Sequence, residues 1–204
     1  MTTADEFQDL GGGVFFWQAF DPAVKTDLSC VGIQSGDEWY FIDPIRLAAS
    51  ALDELTGGRV RGGAILLTNG NHERAARKFR DRFSLPVIAH ADAAAEFSFP
   101  IDRVIADGEN ISDQYTVIAL PGAAAGEVAY LHRPSGTLSV GDALIQVGSH
   151  GFSFLPAKYC RDARELRLSL ARLLDFSFAR MTFAHGTPLT DQARCRLEAL
   201  LASR

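Results

Sequence analysis

The stretch Leu66-Leu67-Thr68-Asn69-Gly70-Asn71-His72-Glu73-Arg74 joins a short apolar run to a loop rich in polar side chains. The apolar run, residues 64–67, is typical of a fully buried strand, and apolar residues at helical spacing follow the loop. Another short strand is predicted at residues 85–89. Strand, helix and strand in this order predict a parallel, buried part of a sheet. In this setting Asn71 is suited to cap the helix, and Glu73 suits its first turn.

Short apolar runs predominate on both sides of this unit, at residues 14–17, 29–33, 39–42, 117–120, 128–131, 137–140 and 181–184. Each strand-rich part is followed by helices whose apolar stripe faces one side only, and Asp43 is suited to cap the first of them. We therefore predict one α/β domain over residues 1–204. Its predicted architecture is a four-layer αββα sandwich, with two mixed sheets packed face to face and helices outside.

The composition is that of a folded globular protein. Hydrophobic residues make up 47% of the 204 residues, and the net charge of −5 argues against a nucleic-acid partner, whose binding surface is usually matched by a basic excess. No apolar run is long enough for a membrane-spanning helix, and residues 1–10 are acidic and polar, unlike a signal peptide. Cys30, Cys160 and Cys195 lie far apart, so we expect reduced thiols and a cytoplasmic location.

Two further predicted strands end in residues that carry chemistry. Val140-Gly141-Asp142 brings an aspartate to a strand end, and Phe183-Ala184-His185 brings a histidine to another. Taken singly, such a histidine is more often a hydrogen-bonded structural residue, and such an aspartate more often a turn or capping residue. Together with the polar loop they indicate a site, because strand ends hold side chains rigidly enough to converge.

The order of these motifs resembles the metallo-β-lactamase superfamily, whose pattern is T-H-x-H-x-D-H, P-G-H-T-x-G, G-D and a final strand-end histidine. The corresponding segments of this chain, in the same order, are the loop ending at Arg74, then Pro121-Gly122-Ala123-Ala124-Ala125-Gly126, Gly141-Asp142 and His185. The resemblance covers nearly the whole chain. It implies the αββα fold and the hydrolysis of esters, thioesters or phosphoesters at metal ions.

The resemblance places Asn69, Asn71 and Ala123 where the first zinc site of the family has three histidines. Zinc prefers thiolate, imidazole and carboxylate ligands, and alanine has no donor atom. We therefore predict that this site is absent and that no dinuclear zinc centre forms.

At the second site of the family the matching residues are Glu73, Arg74, Asp142 and His185. Glu73, Asp142 and His185 form a candidate three-ligand set for one divalent ion, Zn, Mn or Fe. A guanidinium stays protonated and cannot ligate a metal. We therefore expect Arg74 to pair with Asp142 or Glu73 and to replace the charge of the lost metals. The alternative is that Arg74 faces solvent.

Two other histidines lie close to these motifs. His72 occupies a variable position of the family motif, and a shift of one residue in the loop would bring it in as a ligand. His150 lies in the loop after Asp142, where it either overhangs the site or is solvated.

The sequence supports two hypotheses about function. In the first, the metal site is eroded, no cofactor is bound, and the protein has a binding or structural role without catalysis. In the second, the protein is a hydrolase of an ester, thioester or phosphoester that uses a single divalent metal. Both allow a small-molecule ligand or substrate and neither involves nucleic acid or a membrane.

Overall fold

The computed structural model describes residues 2–148 and 151–203, so His150 lies outside the described residues. The strands are β1 (Thr3–Ala4), β2 (Gln8–Asp9), β3 (Val14–Asp21), β4 (Thr26–Ser35), β5 (Glu38–Ile42), β6 (Arg46–Leu47), β7 (Gly63–Leu66), β8 (Val87–His90), β9 (Arg103–Ile105), β10 (Asn110–Ile111), β11 (Tyr115–Ala119), β12 (Val128–His132), β13 (Thr137–Val140), β14 (Leu144–Val147), β15 (Gly151–Phe154) and β16 (Arg180–Phe183). The α-helices are α1 (Ala49–Thr56), α2 (Ala76–Phe83), α3 (Ala163–Ala171) and α4 (Ala193–Ala202). None of these helices is long and apolar enough to cross a membrane.

Two mixed sheets form the centre of the fold. The larger has the strand order β2-β3-β4-β5-β7-β8-β9, antiparallel up to β5 and parallel from β5 onward. The smaller has the order β10-β11-β12-β13-β16, in which only β13 and β16 are parallel. Two short pairs, β1 with β6 and β14 with β15, lie outside these sheets.

Three apolar clusters separate four layers, which confirms the predicted αββα sandwich. The middle cluster contains side chains of both sheets, such as Ile33 and Tyr40 from one and Val117 and Tyr130 from the other. A second cluster packs the larger sheet against α1 and α2. The third packs the smaller sheet against α3 and α4.

Strand β5 shows how the sequence builds these layers. Trp39 and Phe41 belong to the cluster on the helix side, whereas Tyr40 and Ile42 belong to the cluster between the sheets. Successive side chains of a strand point to opposite faces. Because both faces are buried, the strand is a continuous apolar run rather than an alternation of apolar and polar residues.

The helices begin later than the sequence predicted. Helix α2 begins at Ala76, preceded by Ala75, so Asn71 does not cap it. Helix α1 begins at Ala49, so Asp43 does not cap α1 either. Both α1 and α2 are therefore preceded by a loop whose polar side chains make other contacts.

The carboxyl ends of four strands meet at one edge of the sandwich. Asp43 follows β5, Asn69 comes shortly after β7, Asp142 follows β13 and His185 follows β16. Since β5 and β7 belong to the larger sheet and β13 and β16 to the smaller, this edge collects polar residues from both sheets.

Candidate functional site

Three side chains from this edge bring one potential ligand atom each to a common point. The ligand atoms of His72, Asp142 and His185 all lie within 4.8 Å of one another. Asp142 Oδ1 is 3.2 Å from His72 Nε2 and 3.2 Å from His185 Nε2. Two imidazoles and one carboxylate are a ligand set that suits a divalent transition metal.

The ring of His72 is oriented by a buried carboxylate. Its Nδ1 lies 2.9 Å from Asp43 Oδ2 and 2.8 Å from Thr68 Oγ1. Asp43 in turn accepts hydrogen bonds from the Thr68 backbone N–H at 2.9 Å and from the Thr68 hydroxyl at 2.5 Å. A carboxylate only accepts hydrogen bonds, so the His72 Nδ1 carries a proton and its Nε2 is directed at Asp142.

The ring of His185 is oriented in the same way by a backbone group. Its Nδ1 lies 3.0 Å from the carbonyl oxygen of Asp27, which can only accept a hydrogen bond. Its Nε2 is therefore also left for the centre of the site. Metal-binding histidines usually donate their second ring N–H to a carboxylate or a backbone carbonyl, and both rings do so here.

Opposing effects set the charges in this group. Burial and the Arg74 charge would lower the pKa of His72, but the carboxylates of Asp142 and Asp43 outweigh them and raise it to about 9. Burial would raise the pKa of Asp142, but the two imidazoles hold it well below its usual range. A proton on His72 Nε2 and a divalent ion would thus compete for the same position, because metal binding requires a neutral imidazole.

A second buried network fixes the other oxygen of Asp142. The side-chain amide of Asn69 donates to Asp142 Oδ2 at 3.2 Å and to Glu127 Oε2 at 2.6 Å. Glu127 Oε1 accepts a hydrogen bond from the Ala143 backbone N–H at 3.0 Å. Burial and the nearby Asp142 charge raise the pKa of Glu127 to about 8, so this side chain is mainly protonated at neutral pH.

A cleft of about 750 Å³ opens directly over the three ligand atoms. Arg74 and Asn71 also line its base, and Ala124 lines it beside them. A concave site with a few convergent polar groups is the usual form of a small-molecule site.

A family model described as the metallo-beta-lactamase superfamily matches residues 11–203. The chain belongs to the metallo-β-lactamase superfamily. The resemblance of its sequence motifs is thereby confirmed.

Solved metallo-β-lactamases share the fold at low sequence identity. DIM-1 metallo-beta-lactamase is 12% identical with a TM-score of 0.77, and the match covers 97% of this chain and 98% of that chain. A metallo-beta-lactamase from Pontibacter korlensis is 16% identical, with a TM-score of 0.74 and coverage of 98% and 99%. A metallo-beta-lactamase family protein from Thermus thermophilus is 22% identical, with a TM-score of 0.65 and coverage of 95% and 80%. No curated protein sequence matches the chain significantly.

The residues that the motif resemblance assigns to the first metal site do not come together as a ligand set. Asn69 is occupied by its bonds to Glu127 and Asp142, and its Oδ1 accepts the Asn71 backbone N–H at 2.9 Å. Asn71 lines the cleft with an exposed side chain, and Ala123 is fully buried in the apolar cluster beneath α3 and α4. A hydrogen-bonded amide, an exposed amide and a methyl group do not provide the ligands that a metal ion needs.

Glu73 does not join the group that the sequence predicted for it. Its two carboxylate oxygens accept hydrogen bonds from the backbone N–H and the hydroxyl of Ser98, each at 2.6 Å. The reason is a tight turn in the loop, in which the His72 N–H bonds to Asn69 O at 3.3 Å and Arg74 has a φ of 40°. This turn directs His72 inward and Glu73 outward, so His72 takes the place expected for Glu73.

Arg74 also differs from the expectation. Its guanidinium donates to the carbonyl oxygens of Ser29 at 2.8 Å, Asp43 at 3.3 Å and Ala184 at 3.3 Å. Among the residues that the structure describes, no ion pair joins Arg74 to a carboxylate. Nor does it face solvent freely, because it is half-buried and connects β4 and the end of β5 in the larger sheet with the end of β16 in the smaller.

Sequence reasoning missed Asp43 and Glu127. Asp43 was interpreted as a helix cap, although its place after a buried strand was the same signal that singled out Asp142 and His185. Glu127 lies between Gly126 and the buried strand β12. An acidic residue next to a buried strand is rarely buried without a partner, so its position indicates a polar network.

Proposed function

We propose that the protein binds one divalent metal ion through His72 Nε2, Asp142 Oδ1 and His185 Nε2, and that it hydrolyses an ester, thioester or phosphoester at this site. The observation that carries the proposal is the convergence of these three atoms, with both Nδ1 atoms held by acceptors. Catalytic zinc sites commonly have three protein ligands of this chemical type and an open position. Mn and Fe also suit two imidazoles and a carboxylate.

The chemistry of a bound ion would be Lewis-acid polarisation of the substrate oxygen and activation of water. Other groups of the chain would orient the ligands for this chemistry. Asp43 and the Asp27 carbonyl set which ring nitrogen of each histidine is free. Asn69 holds Asp142 so that one carboxylate oxygen faces the histidines. The cleft above them holds the substrate.

The proposal includes a single metal ion only. Asn69, Asn71 and Ala123 supply no ligand set for a second ion, and a dinuclear centre needs two sets of ligands about 3.5–4 Å apart. The chain would thus hold one metal ion where its family resemblance implies two, and the predicted lack of a dinuclear zinc centre is kept as part of the proposal.

A second candidate function is a metal-free binding or structural role. The observation in its favour is that both imidazole Nε2 atoms lie 3.2 Å from the same oxygen of Asp142. With His72 protonated, its Nε2–H donates to Asp142 Oδ1 without any ion. The protein would then use the cleft to bind a small molecule without cleaving it.

Metal analysis distinguishes the two functions. Protein purified without an affinity tag should contain about one equivalent of metal, and zinc added to the metal-free protein should bind at one site in a calorimetric titration. His185→Gln should weaken zinc binding at least tenfold, whereas His90→Gln, which changes a histidine outside the site, should leave it unchanged. Absence of binding, with no hydrolysis of p-nitrophenyl acetate after Zn, Mn or Fe is added, would favour the metal-free role.

The cellular location is part of the same proposal. All three cysteines are free, with Cys30 buried, Cys160 half-buried and Cys195 exposed. Free thiols of this kind suit the reducing conditions of a cytoplasm. We accordingly propose a cytoplasmic protein that acts on a small molecule.

A further inference from the structure

The cleft has two apolar walls above its polar base. One wall contains Ala23 and Val24 of the turn between β3 and β4, together with Leu28 of β4. The other wall contains Ile145 and Val147 of β14 together with Leu155, Pro156 and Tyr159. Val24 and Tyr159 are exposed, at 57% and 63%. Exposed apolar surface that continues into a site is typical of a binding surface.

Apart from the proposed metal ion and the histidines that would bind it, the cleft offers little positive charge to an anionic ligand. Arg74 lines the cleft, but three of its N–H groups already donate hydrogen bonds to backbone carbonyls. Two carboxylates, Asp21 and Asp142, line the same cleft. Lys158 lies next to it in the chain, but its Nζ is 4.6 Å from the ring centre of Tyr159, where a cation–π contact holds it.

The geometry points to a carboxylic ester or thioester with an apolar acyl group as the substrate, in preference to a phosphoester. The acyl group lies between the turn that carries Val24 and the wall that carries Tyr159, and the carbonyl group lies over the polar base. This inference rests on the proposed function and names the substrate class of that site. Hydrolysis adds one water, breaks the bond from the acyl carbon to oxygen or sulfur, and yields a carboxylic acid and an alcohol or thiol.

A series of substrates tests the inference on zinc-loaded protein. For p-nitrophenyl acetate, butyrate and hexanoate, kcat/KM should rise about two- to fourfold for each added methylene that the walls bury. Bis(p-nitrophenyl) phosphate should be cleaved more slowly than any of the three esters. A flat or falling series, or faster cleavage of the phosphodiester, would overturn the inference while leaving a metal-dependent hydrolase in place.

A binding measurement separates the cleft from the chemistry. Hexananilide, an amide with the same acyl group, should bind to metal-free protein in ligand-observed NMR. Val24→Asp and Tyr159→Ser should each weaken its binding at least fivefold. Leu168→Ser is the matched control, because Leu168 is 66% exposed on α3 and does not line the cleft. Binding with no ester hydrolysis would support the apolar cleft and refute the hydrolase. Binding that neither variant weakens would refute the inference about the walls.

Discussion

Replacement of Arg74 by alanine should destabilise the protein strongly, although the guanidinium pairs with no carboxylate. The side chain makes one short and two long hydrogen bonds to backbone carbonyls, at 2.8, 3.3 and 3.3 Å. A hydrogen bond from a charged group contributes about 1.5–3 kcal/mol, and long bonds contribute less. We expect a total loss of about 3 kcal/mol in the free energy of unfolding. At roughly 2.1 cal/mol/K of unfolding entropy per residue, this loss lowers the Tm of a chain of this size by about 7 °C.

The assay is thermal unfolding followed by circular dichroism in metal-free buffer. Arg77→Ala is the matched control, since Arg77 is an exposed arginine on α2 three residues further along. Arg74→Gly should lose less than Arg74→Ala, because the φ of 40° at this position strains every residue with a Cβ atom and glycine adopts it freely. If Arg74→Ala melts within 2 °C of Arg77→Ala, the inference that this side chain connects the two sheets is wrong.

Three further predictions concern the buried network around the ligands. Asp43→Asn should weaken zinc binding by about 10- to 100-fold in a calorimetric titration, because the ring of His72 loses the carboxylate that orients it; affinity equal to the parent would contradict the role of Asp43. The pKa of Glu127 is raised in the folded protein to about 8, so the folded state binds more protons than the unfolded state above about pH 4.5, and this contribution to stability falls as pH rises toward 8. Urea unfolding of metal-free Glu127→Gln should accordingly show a shallower loss of stability between pH 5 and 8 than the parent, and parallel curves would speak against a buried, protonated Glu127. Gly141→Ala should destabilise the fold by about 1–3 kcal/mol and weaken zinc binding. The added Cβ would lie 2.5 Å from Thr68 Oγ1 and 2.6 Å from Glu127 Oε1. Gly62→Ala is the control, because its added Cβ would meet no atom closer than 3.7 Å.

Two of the three proposed metal ligands were predictable from their place in the chain. Asp142 and His185 each lie two residues past the end of a buried strand, and the carboxyl ends of such strands meet at one edge. The backbone of the strand determines where these side chains point, so a sequence pattern that locates the strand also locates the residue. The same reasoning, applied to Ile42, would have identified Asp43, whose role was obscured because aspartate before proline also suits a helix cap.

The third proposed ligand, His72, depended on a local backbone conformation that residue types do not reveal. Whether His72 or Glu73 faces the site is decided by a loop of a few residues, in which Arg74 adopts a left-handed φ that is rare for a residue with a side chain. A family motif assigns residues by their position along the chain, which is correct only where the loop has the same backbone conformation as in the family. A turn displaced by one residue therefore exchanges the inward and outward side chains. The role of Arg74 was missed for the same reason, since its partners are backbone carbonyls and have no signature in the sequence.

The two sheets are built from consecutive parts of the chain, β2 to β9 and then β10 to β16. His72 comes from the first part, and Asp142 and His185 come from the second. The proposed ligand set is therefore incomplete in either half and forms only when the halves have docked. A metal ion bound at His72, Asp142 and His185 would accordingly act late in folding, where it would slow unfolding by holding the docked halves together and would contribute little to the formation of either sheet on its own.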